Sequence, residues 1–414
     1  MSKNRVVITG LGAVTPGGIG VKETWDSLLA GRSCTHTISR FDASDLPTQF
    51  AAEVSNFDPQ DFMDFRAAKR TARFAQFAMV ATDEAIRNAA LDLSKQDMTR
   101  VGIEMGTAIG GVSIVEEQAV IFHEQGHRRV NPTLIPIILA SSGACNIAIN
   151  LGIKGPTQAP VAACATGVVS VGHALRFLQS GEVDVMLAGG SEAATSPLAL
   201  ATFSRVGVLS TRNDAPEQAC RPFDAQRDGT VMGEGAAMLV LETLEHAQRR
   251  GAPILAEVLG YSLTEDAYHI AAPDPSGEGA ARAMTLAMND AGVTADEIDY
   301  IAPHGTGTPL NDAAETTAIK SSFGKAAYRV AISSNKSMLG HMLGAAGAVS
   351  SVVAVKALCE GMVPPTINLD YPDPQCDLDY VPNTARKMDV QTAMVNAFGF
   401  GGQNASLILR QIEA

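Results

Sequence analysis

The residues of this chain best fitted for covalent chemistry are one cysteine and two histidines. Cys164 lies in a run, Gly155 to Leu175, that carries no formal charge, and its neighbours Ala162, Ala163, Ala165, Thr166 and Gly167 are small. The pattern reads as a short strand ending at the cysteine and a buried helix beginning after it. A thiol at a helix N-terminus feels the positive end of the backbone dipole, which lowers its pKa and favours the nucleophilic thiolate. The same residue also reads as a small apolar core side chain. His304 and His341 both sit among glycines, in Pro303-His304-Gly305-Thr306-Gly307-Thr308-Pro309 and Gly340-His341-Met342-Leu343-Gly344. Glycines beside an imidazole let substrate or backbone approach closely. His36, His123, His127, His173, His246 and His269 lack such a setting and read as surface or core residues. Lys336 lies five residues before His341, while Asp312 and Glu315 lie eight and eleven residues after His304. A buried lysine needs a carboxylate, and these two are the candidates. A last glycine run, Phe398-Gly399-Phe400-Gly401-Gly402-Gln403-Asn404, forms a turn able to aim backbone N–H groups at a developing oxyanion.

Short apolar runs alternating with helix-length segments must position these groups. Strands are expected at Val6–Thr9, Val101–Ile103, Val183–Ala188, Ala237–Leu241, Ile254–Leu259, Tyr300–Ala302, Val330–Ile332, Ala393–Asn396 and Ser406–Leu409. Helices are expected at Ala75–Ala90, Thr166–Ser180, Gly279–Ala291 and Ala346–Cys359. This alternation argues for α/β layering. His304 then follows a strand directly, at the strand end where sites gather in such sheets. The order of elements looks duplicated: a strand into a double glycine occurs at Val183–Gly190 and again at Ala393–Gly402. The halves expected are residues 1–253, carrying the cysteine, and 254–414, carrying both histidines. No linker-like segment separates them, so they are expected to share an interface.

The 414 residues are 46% hydrophobic and 18% charged, enough for one large or two ordinary domains. A formal net charge of −13 argues against nucleic acid as partner. The six cysteines form no CxxC pair and no metal-like spacing with histidine, so no metal ion is expected and a reducing compartment is. A strand-like run begins by Val6, leaving no room for a signal peptide, and Thr133–Gly152 is broken by Pro136 and reads as buried core, not a membrane span. A cytoplasmic protein is expected.

Read together, the blocks resemble the β-ketoacyl-acyl-carrier-protein synthases, and among them the elongating type II enzymes of bacterial fatty-acid synthesis. The blocks are Ala163-Cys164-Ala165-Thr166, His304 to Pro309, Lys336-Ser337 with Gly340-His341, Gly344-Ala345-Ala346-Gly347, and Gly399-Phe400-Gly401-Gly402. Arg221-Pro222-Phe223-Asp224, Met232-Gly233-Glu234-Gly235 and Pro364 to Asn368 extend the likeness across the chain. The resemblance implies a thiolase-like fold, two duplicated βαβαβ-type halves in α-β-α-β-α layers, and a homodimer. It implies that Cys164 takes the acyl chain while His304 and His341 hydrogen-bond the malonyl carbonyl during decarboxylation. Backbone N–H groups of Cys164 and Phe400 would form the oxyanion hole, with Phe400 also a gate. Lys336, Asp312 and Glu315 would organise the histidines, and Thr306 and Thr308 would bind substrate. No cofactor is implied, since phosphopantetheine arrives on the acyl carrier protein. Initiating synthases have asparagine at the second histidine, and thiolases a second cysteine. A ketosynthase of polyketide or specialised lipid synthesis is the alternative enzyme, and a non-catalytic scaffold the alternative class.

Five positions depart from the family pattern. Ser350 stands where a glutamate helps hold a monovalent cation, Thr230 where a phenylalanine is usual, Asn335 where threonine is usual, and Ala271 and Ala272 where hydroxyl residues contact pantetheine. Two other motifs mislead: Gly10-Leu11-Gly12 lacks the third glycine of a dinucleotide fingerprint, and Gly189-Gly190-Ser191-Glu192-Ala193 lacks the last glycine of a hydrolase elbow. Arg66, Lys69, Arg70 and Arg73 at helical spacing, with Arg128 and Arg129, form the basic surface expected to dock an acidic carrier protein.

Overall fold

The computed structural model describes residues 3–412, and in it one five-stranded motif is built twice. Strands β1 (Val6–Thr15), β2 (Val101–Gly106), β3 (Thr157–Gln158), β4 (Val185–Glu192) and β5 (Gly235–Thr243) lie in the spatial order 1-5-4-2-3. Strands β6 (Ala256–Glu265), β7 (Tyr300–Ala302), β8 (Ala331–Ile332), β9 (Thr392–Gly399) and β10 (Gln403–Arg410) lie in the order 6-10-9-7-8, which is the same arrangement. Directions repeat as well. The first and fourth strands of each motif pair antiparallel with the fifth, and the second pairs parallel with the fourth and third. The motifs join where Val7 pairs with Glu257 and Ile8 with Ala256.

Helices make the remaining layers: α1 (Arg73–Asn88), α2 (Thr166–Ser180), α3 (Pro197–Val206), α4 (Glu278–Ala291), α5 (Pro309–Phe323) and α6 (Ala346–Glu360). The pair α2 and α6 lies between the two half-sheets and shares one apolar core with both. Helix α1 covers the outer face of the first half-sheet, α4 and α5 that of the second. Helix α6 is buried on every side, as a helix between two sheets must be. Its segment Leu343–Glu360 is apolar enough to cross a membrane by length and composition, and 83% of it lies inside this core.

Strands β4 and β5 are buried along their whole length, which suits their continuous apolar runs. Strand β1 outruns its expected end at Thr9 by six residues, to Thr15. Its glycines do not form a turn. Gly10 and Gly12 sit in the ladder under α1, where a Cβ would come within 2.2 Å of the Ala85 carbonyl oxygen and 1.8 Å of that of Ala81. The stretch Thr133–Gly152 is corrected more sharply. It forms two surface helices, Leu134–Ile138 and Ser142–Leu151, leaving Ile135, Leu139 and Ile149 exposed.

The repeat extends to the turns before the central helices. Ala163–Ala165 and Leu343–Ala345 are both single 3-10 turns, entered at the unusual positive φ of 46° at Ala163 and 44° at Leu343, and each starts a 15-residue helix. Cys164 and Gly344 are therefore equivalent positions. Gly12→Val is expected to destabilise the fold by about 1–3 kcal/mol through overpacking against α1. Thermal unfolding measures this, and an unchanged midpoint would refute the close approach.

Candidate active site

Cys164 is buried in the middle of its turn. The end of β9 presses on that turn: a Cβ on Gly399 would lie 2.7 Å from the Ala162 carbonyl oxygen and 3.3 Å from the Cys164 nitrogen. Only glycine permits this approach, which brings the backbone N–H of Phe400 onto the Cys164 sulfur beside the cysteine's own N–H. Burial pushes the thiol up to about 12, against the pull of the Lys336 cation and these two N–H groups. The thiolate expected from the helix dipole is thus corrected. Loss of water outweighs the dipole, and the resting group is a thiol.

His304 follows β7, and His341 precedes the Leu343–Ala345 turn. Their ring centroids lie 5.3 Å apart at 81°, and the sulfur and one ring nitrogen from each histidine lie within 4.8 Å of one another. Burial holds both pKa values well below the usual histidine range, and the Lys336 cation pushes them the same way. Both rings are therefore neutral at neutral pH. The backbone N–H of Leu343 donates to His341 Nδ1 at 3.2 Å, which leaves the ring proton on Nε2. That Nε2 is buried without a partner among the described residues. The trio has the spacing of a metal site, yet a protonated Nε2 is a donor and suits an anionic oxygen, not a cation.

Lys336 is buried at the start of its short helix, but its expected carboxylate partners are used otherwise. Among the described residues no ion pair reaches it; Asp312 pairs instead with Arg227 at 3.7 Å. Glu315 accepts the backbone N–H groups of His304 and Gly305, each at 2.7 Å. Asp312 accepts those of Phe223 at 2.8 Å and Gly307 at 3.2 Å. The two carboxylates therefore fasten the 304–307 loop and act on Lys336 through space. Burial pulls Lys336 down while Glu315 supports its charge, and burial pushes Glu315 up to about 7. Arg227, buried between Asp312 and Asp373, belongs to the family-like block Arg227-Asp228-Gly229, to which the sequence assigns no site role.

Cys164, His304 and His341 open onto one cavity of about 250 Å³. Its walls include Thr306 and Thr308, whose hydroxyls lie 3.0 Å apart, and Phe400, whose ring stands 6.2 Å from that of Phe203. Phe203, on α3, has no sequence signal beyond its apolar character. Thr230 lines the same cavity with a buried hydroxyl that has no partner among the described residues, and Ala271 and Ala272 line it too. The other two departures touch each other: Asn335 Nδ2 donates to Ser350 Oγ at 3.3 Å.

The basic surface is smaller than expected. Arg66, Lys69 and Arg70 are exposed or half-buried on and just after the short helix Phe65–Lys69. The chain then breaks before α1, and Arg73 turns inward to Glu234 at 2.7 Å and over the Phe77 ring at 4.6 Å. Glu234 is a buried carboxylate that needs a cation, which removes Arg73 from the surface. Arg128 and Arg129 are exposed in the turn His127–Arg129.

Comparison with known proteins agrees with this geometry. Residues 3–247 match the beta-ketoacyl synthase N-terminal domain and residues 255–370 the beta-ketoacyl synthase C-terminal domain. The chain is 47% identical over 412 residues to 3-oxoacyl-[acyl-carrier-protein] synthase 2 of Coxiella burnetii, covering 100% of both chains. It is 47% identical over 413 residues to the protein of the same name in Synechocystis, covering 100% of this chain and 99% of the other. Among solved structures, an ishigamide ketosynthase/chain length factor superposes with a TM-score of 0.94 at 38% identity, covering 99% of this chain and 100% of that one. A type II polyketide ketosynthase, solved in complex with its acyl carrier protein and bound to the hexaketide, superposes at 0.92 with 33% identity and the same coverage. With both halves matched in order along a thiolase-like fold, the chain belongs to the β-ketoacyl synthase family.

Proposed function

We propose that this chain elongates fatty acids by condensing an acyl thioester with malonyl-acyl-carrier-protein to give 3-oxoacyl-acyl-carrier-protein. One observation carries the reading: a buried thiol backed by two N–H groups shares a cavity with two neutral histidines under the field of Lys336. Cys164 attacks the acyl thioester, and its proton ends on the departing pantetheine sulfur. Malonyl thioester then enters. The bond to its carboxylate breaks, CO2 leaves, and the electron pair moves into the thioester carbonyl. His304 and His341 donate hydrogen bonds to the enolate oxygen, the role for which a fixed Nε2–H fits His341. The enolate carbon attacks acyl-Cys164, and the N–H groups of Cys164 and Phe400 hold the oxyanion. Collapse expels the cysteine thiolate, which regains a proton because burial holds its pKa at about 12. The reaction needs no cofactor of the enzyme's own, because the phosphopantetheine arm arrives on the carrier protein. The relatives named 3-oxoacyl-[acyl-carrier-protein] synthase 2, at 46–47% identity, favour fatty-acid elongation over polyketide synthesis, whose type II ketosynthase matches at 33%. We read the protein as cytoplasmic.

The half-reactions test these roles. Cys164→Ala is expected to abolish the acyl adduct seen by mass spectrometry across a graded primer series while sparing malonyl decarboxylation. His304→Ala or His341→Ala should lower decarboxylation by about 10²–10³-fold. A stable acyl adduct on any other residue would overturn the mechanism. Because the folded histidine pKa values are depressed, decarboxylation should persist as pH falls through about 6.5, the ordinary histidine value. The stability that neutral burial confers is full above that value and drains away below it. A decarboxylation midpoint at the ordinary value would contradict neutral burial.

Carrier docking on Arg66, Lys69, Arg70, Arg128 and Arg129 rests on their place at the surface. Charge reversal at Lys69 and Arg70 should raise KM for acyl carrier protein several-fold at low salt with little change in kcat. An unchanged KM would remove the assignment. The homodimer reading is supported by the exposed Ile135, Leu139 and Ile149 and by the free edge of β3, against which the helix carrying Ile149 packs. Sedimentation equilibrium should give twice the chain mass, and a monomer at micromolar concentration would reject it.

A further inference from the structure

Glu192 is a buried acid that the catalytic sequence above leaves unused. It ends β4, fully out of water. Its carboxylate accepts from Thr107 Oγ1 at 2.8 Å, from the Ala108 N–H at 2.8 Å and from the Gly344 N–H at 3.3 Å. Thr107 Oγ1 in turn accepts the Gly110 N–H at 3.1 Å. The hydrolase-like serine beside it serves the backbone instead, since Ser191 donates towards the carbonyls of Phe74 and Gly235.

The internal repeat gives this carboxylate a meaning. Gly344 occupies in the second half the position that Cys164 occupies in the first. The end of β9 packs on the Cys164 turn, and the end of β4 packs on the Gly344 turn. At the first turn, backbone N–H groups converge on the reacting sulfur. At the second, the equivalent N–H meets the carboxylate of Glu192. We propose that Glu192 is a resident carboxyl acceptor in the duplicate of the oxyanion pocket, and that it is a positioning residue for His341. It ties the Gly344 turn to the loop after β2, and the Leu343 N–H of that same turn sets which nitrogen of His341 carries the proton. The inference rests on the reading of His341 as a donor to the malonyl carbonyl.

One carboxylate oxygen accepts both backbone N–H groups and the other the Thr107 hydroxyl. Glutamine keeps the backbone pair only by turning its NH2 to Thr107 Oγ1, whose own O–H then loses its acceptor. The carboxylate's charge also raises the Cys164 pKa. The two half-reactions should therefore part. With the full-length enzyme, Glu192→Gln is expected to slow malonyl decarboxylation about tenfold, as an unmatched buried donor would. Acyl transfer onto Cys164, read by mass spectrometry, should be unchanged or faster. Glu192→Asp, which keeps both acceptor oxygens, should recover part of the decarboxylation. Equal loss of both half-reactions in Glu192→Gln would overturn the proposal and leave Glu192 a structural residue. Should that variant fail to fold, the ratio of the two rates in Glu192→Asp and Thr107→Val decides: a lowered ratio supports the role, and an unchanged one overturns it. A wild-type enzyme unable to decarboxylate malonyl thioester would defeat the functional reading itself, a separate outcome.

Discussion

Four ionisable side chains, Cys164, His304, Lys336 and His341, lie together out of water, and the rest of the molecule answers to that withdrawal. Burial sets their protonation: a thiol in place of a thiolate, and imidazoles in place of imidazolium ions. The lysine would be the hardest to keep, since an isolated buried cation loses several kcal/mol of hydration. Its support comes through space from Glu315, whose oxygens are engaged by the backbone of the histidine loop. A direct ion pair would neutralise the lysine locally. Held apart, the cation still acts on the sulfur and on both rings, because fields reach further where water is excluded.

Duplication explains how such a site can be assembled at all. Two strand-turn-helix units, related by the repeat, deliver Cys164 and the His341 turn to opposite sides of one cleft, with α2 and α6 back to back behind them. Each turn presents free N–H groups at the start of a central helix. In one half those groups face the Cys164 sulfur, which in the proposed reaction gains and loses an acyl group. In the other they face a fixed carboxylate, so the turn is already satisfied and His341 is held still. The same backbone device thus meets a reacting sulfur in one half and a fixed carboxyl in the other.

Much of this was legible in the sequence, for physical reasons. The alternation of apolar runs located nine of the ten strands of the repeat, and Tyr300–Ala302 and Thr166–Ser180 fell on the observed ends because turn residues bound them. The cysteine and the two glycine-flanked histidines also meet as expected. What failed depended on neighbours distant in the chain. The thiol's state follows from burial by several segments, and the dipole argument sees only one helix. Arg73 shares helical spacing with Arg66, Lys69 and Arg70, but Glu234, 161 residues away, draws it inward. The strand was expected to end at Thr9, before Gly10 and Gly12, because the partner of these glycines, the backbone of α1, is invisible to local pattern. The 133–152 stretch read as core because its composition is apolar, although Ile149 is 82% exposed.

The high thiol pKa is better understood across both half-reactions than in the first alone. A buried, protonated cysteine is a slow nucleophile, and the Phe400 and Cys164 N–H groups with Lys336 offset only part of that handicap. In the proposed reaction the same dry surroundings would shield the acyl thioester from hydrolysis while the second substrate is awaited. They also strengthen every hydrogen bond to the enolate, since the histidine donors meet little competition from solvent. A site tuned for a thiolate would need water or a closer cation near the sulfur. Either change would weaken the enolate's hold or expose the acyl group. On the proposed mechanism the slow nucleophile is a consequence of protecting the bond-forming step. Glu192, which raises the thiol further in so far as it is ionised and bonds the turn beside His341, pushes in the same direction.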